Sequence, residues 1–362
     1  MARSGHHIVG SHTGIARMNR RTLLKGAGLV AVGAALSPPD EKLAAAPWPG
    51  HQTPPERSRA TPSGSMLVLL GTQGGPNVTM DRAETASVLV VDGHAYLIDC
   101  GYGTLHAFVR AGLHLSELSD LFVTHLHNDH TADVAALLSH MWTASRVEPM
   151  TVHGPFGTTA MVAGALTFFK ADADIRIVDE GRSVRPESVF QGHDLSAPSP
   201  IEAFHDERIR VRAVENAHFP ERATARMPYR SLAYRFEMRD RTVVFSGDTA
   251  YSRSLVDLAR GADLFVCEAT DSGMRQRLVE EAQASVASNT ESVARHVVEA
   301  HVSTEDVGRM ATEARVKTVV LSHLLPGSNP LRGPELPDTS YIAGVRRFFS
   351  GEVIVGRDQM KL

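Results

Sequence analysis

Residues 122–133 read FVTHLHNDHTAD, and His125, His127, Asp129 and His130 crowd into six positions directly after an apolar run. Imidazole nitrogen and carboxylate oxygen together suit a borderline-soft divalent metal such as zinc. Side chains of an extended segment repeat every second residue, so His125 and His127 share one face. Asp129 and His130 follow where a helix is predicted to begin, and turn toward a second position. One metal can thus use the first pair and a neighbouring metal the second. An incidental polar loop is a poor account of so many donors at one strand end.

Three further donors follow apolar runs elsewhere in the chain. His218 closes IRVRAVENAH, Asp248 closes TVVFSGD and His323 closes KTVVLSH. A lone histidine is more often structural than functional. Three donors at equivalent strand ends, in a chain that already carries HxHxDH, point to convergence on one edge of the sheets. Gly247 lets the backbone come close just before Asp248.

The elements that must position these residues are legible from hydrophobic periodicity. MLVLLG (66–71) reads as a buried strand. Residues 86–101 read as two strands joined at Asp92 and Gly93, a hairpin turn signal. Strands are predicted over 120–125, 150–154, 209–218, 232–238, 242–247, 263–269 and 317–323. Helices are predicted over 102–112, 130–142, 157–170 and 254–260, and over 303–314, where Ser303 opens a capping pattern. Residues 181–205, with Pro186, Pro198 and Pro200, read as an irregular inserted loop. Strands alternating with helices in two halves suggest sheets sandwiched between helices.

Composition bounds the rest. The 362 residues are 43 % hydrophobic, enough for a substantial core, so a folded chain is expected. Two cysteines, Cys100 and Cys267, make no disulfide framework, and each sits in an apolar run that reads as buried. At the N-terminus, Arg20 and Arg21 precede a mild apolar stretch ending at Leu36, too short to span a bilayer. A small-residue site at Ala44 to Ala46 follows, and Met18 stands as an alternative start. The pattern resembles a twin-arginine export signal over 1–46, followed by a Pro/Ser/Thr-rich linker over 47–64. The expected location is periplasmic or extracellular, with no stable membrane anchor. Residues 1–46 carry six Lys/Arg and two acids, which leaves 31 basic against 39 acidic residues and a net charge of −8. An acidic surface is a poor general attractor for nucleic acid.

The order HxHxDH, isolated His, Gly-Asp-Thr and Ser-His after an apolar strand resembles the metallo-β-lactamase superfamily over about residues 66–356. More narrowly the chain resembles the ribonuclease Z and arylsulfatase branch, through LGTQGGP (70–76), GPFGT (154–158), CEAT (267–270) and AHVSTEDVGRMA (300–311). The resemblance implies an α/β fold, a four-layer αββα sandwich, over residues 65–362. It implies two zinc ions per chain, with manganese or iron as alternatives. His125, His127 and His218 would bind one, Asp129, His130 and His323 the other, and Asp248 would bridge them.

Two such metals hold a bridging water and lower its pKa toward neutrality, so that the resulting hydroxide can attack phosphorus, sulfur or a carbonyl carbon. Asp129 is then expected to orient that hydroxide or take its proton. His301 is the candidate for contacting the scissile group or protonating the leaving oxygen, a role that rests on the family motif. Thr249 is expected to fix the Asp248 loop through its hydroxyl. His153 and Trp142 are expected in the cleft or in the core, and His106, His114, His193, His205 and His296 as structural residues.

Ribonuclease Z carries a long arm for tRNA between the isolated His and the Gly-Asp motif. Here His218 and Asp248 are only 30 residues apart, filled by two strands and a turn. The expectation is therefore an exported dinuclear zinc hydrolase of a small phosphodiester or sulfate ester, with tRNA not the substrate. The 181–205 insert is expected to shape its cleft. A ribonuclease Z-like endoribonuclease, a lactonase or β-lactamase, and a non-catalytic binding protein are the competing readings. A homodimer is compatible with the chain.

Overall fold

The computed structural model describes residues 64–284, 290–328 and 335–362. The expected export signal and all of the expected linker except Gly64 lie outside the described residues. A six-stranded sheet runs in chain order through β1 (Ser65–Gly71), β2 (Ala86–Val91), β3 (His94–Ile98), β4 (Leu118–Phe122), β5 (Met150–Pro155) and β6 (Phe190–Leu195). A seven-stranded sheet contains β7 (Ile201–His205), β8 (Arg210–Glu215), β9 (Leu232–Glu237), β10 (Thr242–Phe245), β11 (Leu264–Thr270), β12 (Thr318–Leu325) and β13 (Glu352–Val355), again ordered as in the chain.

The alternation of side chains along each strand builds three apolar layers. On β1, Val68 and Leu70 pack outward with Phe108 of α1 (Thr104–Arg110) and Leu137 of α3 (Val134–Thr143). Leu67 and Leu69 pack inward, sharing a layer with Tyr234 and Phe236 of the facing sheet. A third layer joins that sheet's outer face, through Val244 and Phe265, to α7 (Arg253–Leu258), α10 (Thr304–Ala314) and α11 (Asp338–Arg346). Three layers of core between four layers of structure make the αββα sandwich expected from the sequence. Among the described residues no helix is long and apolar enough to cross a membrane.

Local signals explain the joints. Asp92 and Gly93 both take positive φ (49° and 82°), as a tight hairpin turn requires. Ser303 Oγ accepts the amide of Asp306 and caps α10. The helix predicted over 130–142 is broken into α2 (Asn128–Thr131) and α3, and Asp133 between them accepts the amides of Gly103 and Leu105 instead. The helix predicted over 157–170 is α4 (Thr158–Phe168), and α5 (Lys170–Asp179) continues it after Phe169.

One expectation about the fold needs correction. Residues 181–205 are not an irregular insert: they supply β6 and β7, the edge strands of the two sheets, and carry the chain from one sheet to the other. The prolines that suggested a loop sit before β6 and between the strands, where no ladder amide is needed. Cys100 and Cys267, as their apolar runs lead one to expect, are both free and buried, one in each outer core layer.

Candidate metal centre

Strand β4 ends at Phe122, three residues short of the predicted limit, so His125 and His127 stand on the loop beyond it. Their period-two spacing still converges: His125 Nε2 lies 3.0 Å from His127 Nδ1, and His127 Nδ1 3.3 Å from His218 Nε2. His218 Nδ1 meets the Ala300 carbonyl at 3.0 Å, which fixes that nitrogen as the donor and leaves Nε2 with a free lone pair. Burial pushes His125 and His218 well below the usual imidazole range, so both are neutral and able to donate a lone pair.

Asp129, His130, Asp248 and His323 form a second, fully buried set. The two Asp248 oxygens stand 3.2 Å from His130 Nε2 and 3.1 Å from His323 Nε2, and Oδ2 is also 3.8 Å from His125 Nε2. Asp248 therefore touches both sets. His323 is not a strand-end residue as expected but the extra residue of a β-bulge in β12: Ser322 pairs with Glu268, Leu324 with Ala269, and His323 between them takes φ 46°. The bulge turns its side chain out of the ladder and into the site. Gly247 (φ 58°) is required where it stands, because a Cβ there would lie 2.7 Å from the Leu232 carbonyl.

His130 Nε2 and Asp248 Oδ1 face one another at 3.2 Å, yet neither is aligned for a hydrogen bond with any partner. Buried polar atoms are normally satisfied, and atoms left orphaned in a cluster of N and O donors fit a divalent cation. Burial opposes protonation of His130 and His323, but the facing carboxylates hold both above the usual range, His323 at about 10. Burial would raise Asp129 and Asp248. Their histidine partners instead hold Asp129 at about 2 and Asp248 well below its usual value. In the metal-free chain, protons on these imidazoles therefore balance the two carboxylates, and a cation can replace them.

His301 belongs to the same site. Its Nδ1 meets Glu268 Oε2 at 2.8 Å and lies 3.7 Å from Asp248 Oδ2. Glu268, whose other oxygen accepts the Thr249 amide, was not singled out from the sequence, although it stands in CEAT. Asp99 was also missed. It takes φ 59° after β3 and accepts from Thr124 N (2.7 Å) and His130 Nδ1 (2.9 Å), orienting His130 from behind. The Thr249 hydroxyl accepts the Ala217 amide and donates to the Ala250 carbonyl, tying the Asp248 loop to the end of β8.

His296 corrects its structural reading. It lies on α9 (Thr290–Ala300), its ring 5.2 Å from that of His301 and 6.2 Å from that of His127, and it lines the cavity over the site. Burial pushes it down to about 4. Helical spacing alone could not have told its face from the opposite one. His153 stacks on Phe122 at 4.9 Å in the core, and Trp142 is buried with its indole N–H on the Val184 carbonyl, so neither reaches the cleft. The cleft is walled by α9 and α8 (Ser272–Ala284), and no residue of 181–205 lines it.

Residues 94–324 match the family model of a beta-lactamase superfamily domain. A ribonuclease Z of Mycobacterium sp. (strain KMS) is 33% identical over 274 residues, 73% of this chain and 85% of that protein. One from Mycobacterium bovis (strain BCG / Pasteur 1173P2) is 29% identical over 303 residues, 81% and 95% of the two chains. The crystal structure of human tRNase Z, short form, superposes with a TM-score of 0.57 at 20% identity, covering 82% of this chain and 98% of that one. The metallo-beta-lactamase fold protein YhfI from Bacillus subtilis does so at 0.56 and 18%, with the same coverage. The chain therefore belongs to the metallo-β-lactamase superfamily of hydrolases and has ribonuclease Z proteins among its homologues.

Proposed function

We propose that the chain is an exported dinuclear metallohydrolase, with zinc as the expected ion, acting on a small phosphodiester or sulfate ester. The observation that carries this reading is Asp248, held between two separate donor sets with the His301 and Glu268 pair at its side. Two divalent ions held there would supply an activated water and Lewis acidity toward an ester oxygen. The His125, His127 and His218 set would hold one ion, and Asp129, His130 and His323 the other, with Asp248 shared. Asp129 stands 3.3 Å from His323 Nε2 and can accept a proton at its carboxylate. Glu268 holds Nδ1 of His301, a residue that lines the cavity, and so leaves the opposite nitrogen, Nε2, for the substrate. From Nε2 a proton can pass to a leaving oxygen.

A ribonuclease Z-like endoribonuclease is the second reading, and its support is the 33% identity to a ribonuclease Z across most of both chains. Against it, the His218 to Asp248 interval holds only α6 (Glu221–Thr224), β9, β10 and the Gly247 turn, with no long arm. The net charge of −8 beyond residue 46 argues the same way.

The test is a panel on metal-loaded protein beside Asp248→Ala. It comprises bis-p-nitrophenyl phosphate, p-nitrophenyl sulfate, nitrocefin, a lactone and a precursor tRNA with a 3′ trailer. Turnover of the first or second that Asp248→Ala abolishes supports the proposal. Selective trimming of the tRNA replaces it with the second reading, and turnover of only nitrocefin or lactone moves the chemistry to a carbonyl. Inactivity on all five with metal bound refutes hydrolysis of these classes.

A further inference from the structure

The cavity over the metal centre has two unlike sides, and the Gly74–Asn77 loop and His296 also line it. Its floor is the chemistry: His127, Asp129, Asp248 and His301. Its wall is the helical pair α8 and α9 with the end of β12, contributing Met274, Leu278, Val293, Val297 and Leu325. The cavity holds about 420 Å³, within the range of small-molecule sites. No lysine or arginine lines it among the described residues. A polyanion or a second phosphate would find no lysine or arginine here to meet it.

We infer that this wall is a subsite for an apolar substituent on the leaving oxygen, so that the substrate is a phosphodiester or sulfate ester of an aliphatic or aryl alcohol. The inference rests on the hydrolase reading above. His301 fixes which ester arm is meant: the group that can protonate a leaving oxygen lies in the same cavity as the wall, so the departing alcohol extends along α8 and α9. Arg275 of α8 hands its guanidinium to the Val298 and His301 carbonyls, so the wall is tied to the backbone that carries His301. Burial of each added methylene there should strengthen transition-state binding about fourfold until the cavity is full.

A mixed methyl n-hexyl phosphodiester tests this within one molecule, because its two leaving alcohols differ little in basicity. Metal-loaded protein should release hexanol over methanol, and kcat/KM for methyl n-alkyl diesters should rise about fourfold per methylene. Val293→Asp, at a half-exposed wall position that tolerates a charge, should cut that slope to about twofold or less. Calorimetry with n-alkylphosphonates reads the same wall without turnover. Affinity should rise with chain length, with an increasingly negative heat-capacity change. Equal release of both alcohols, or a flat phosphonate series, overturns the subsite. Chain-length-dependent phosphonate binding by a protein inactive on every ester overturns the hydrolase reading instead and leaves an apolar binding site.

Discussion

Replacing Asp99 by asparagine isolates what lies behind the metal centre. Asp99 is buried at φ 59°, a conformation asparagine tolerates, so the backbone need not move. The new side chain is isosteric, and its oxygen can still accept the Thr124 amide now held at 2.7 Å. What changes is the 2.9 Å contact to His130 Nδ1, where a carboxylate acceptor becomes an amide donor. His130 must then accept at Nδ1 and carry its proton on Nε2, the atom that faces Asp248 at 3.2 Å and would bind the metal. Loss of one charge-assisted hydrogen bond is worth about 1.5–3 kcal/mol, or roughly 10- to 150-fold in a binding constant. The expected result is a weakening of about 10- to 100-fold at the Asp129, His130, Asp248 and His323 set, with the three-histidine set unchanged. Titration against a competing chelator, read as metal bound per chain at limiting free zinc, should show one tight site where the native chain shows two. Two tight sites of native affinity in Asp99→Asn would refute the idea that Asp99 sets the His130 tautomer.

Other perturbations have equally definite outcomes. His323 is held at about 10 and His130 is raised in the metal-free chain, so metal uptake must expel protons. Affinity should climb from pH 6 to pH 8, and calorimetry in buffers of different ionisation heat should count released protons. For stability without metal, a raised histidine contributes fully below about pH 6.5 and loses that contribution as pH rises through its folded value. Asp129, lowered to about 2, contributes above its unfolded value and loses it on acidification. This cluster should therefore stabilise the apo-protein most between about pH 4 and 6.5, and chemical denaturation across pH 3–10 checks it. Gly247→Ala forces a Cβ to 2.7 Å from the Leu232 carbonyl at φ 58°. It should cost at least about 2 kcal/mol in apo unfolding and displace Asp248 enough to weaken both metals. Phe122→Ala empties the centre of the inter-sheet layer, where Phe122 touches Tyr234, Phe236 and Phe204. A loss of about 3–5 kcal/mol by denaturant titration is expected.

The clustering of these His and Asp residues was legible because their signal is local: HxHxDH at the end of a strand, and single polar residues directly after apolar runs, need no partner to be recognised. The layered fold was legible for the same reason, since buried strands and amphipathic helices announce themselves by period. Residues 181–205 were misread because their prolines flank two edge strands whose pairing partners lie in different sheets. Glu268, Asp99 and His296 act through contacts 31 to 33 residues away or across the sandwich. No local pattern marks an acid that positions a distant imidazole, and a histidine on a helix looks alike on either face. The types of these residues and their order along the chain are properties of the linear polymer. The bulge that re-aims His323, the placement of Asp248 between two donor sets, and the cleft wall of α8 and α9 arise on folding, because each depends on which surfaces the sheets bring within a few ångströms.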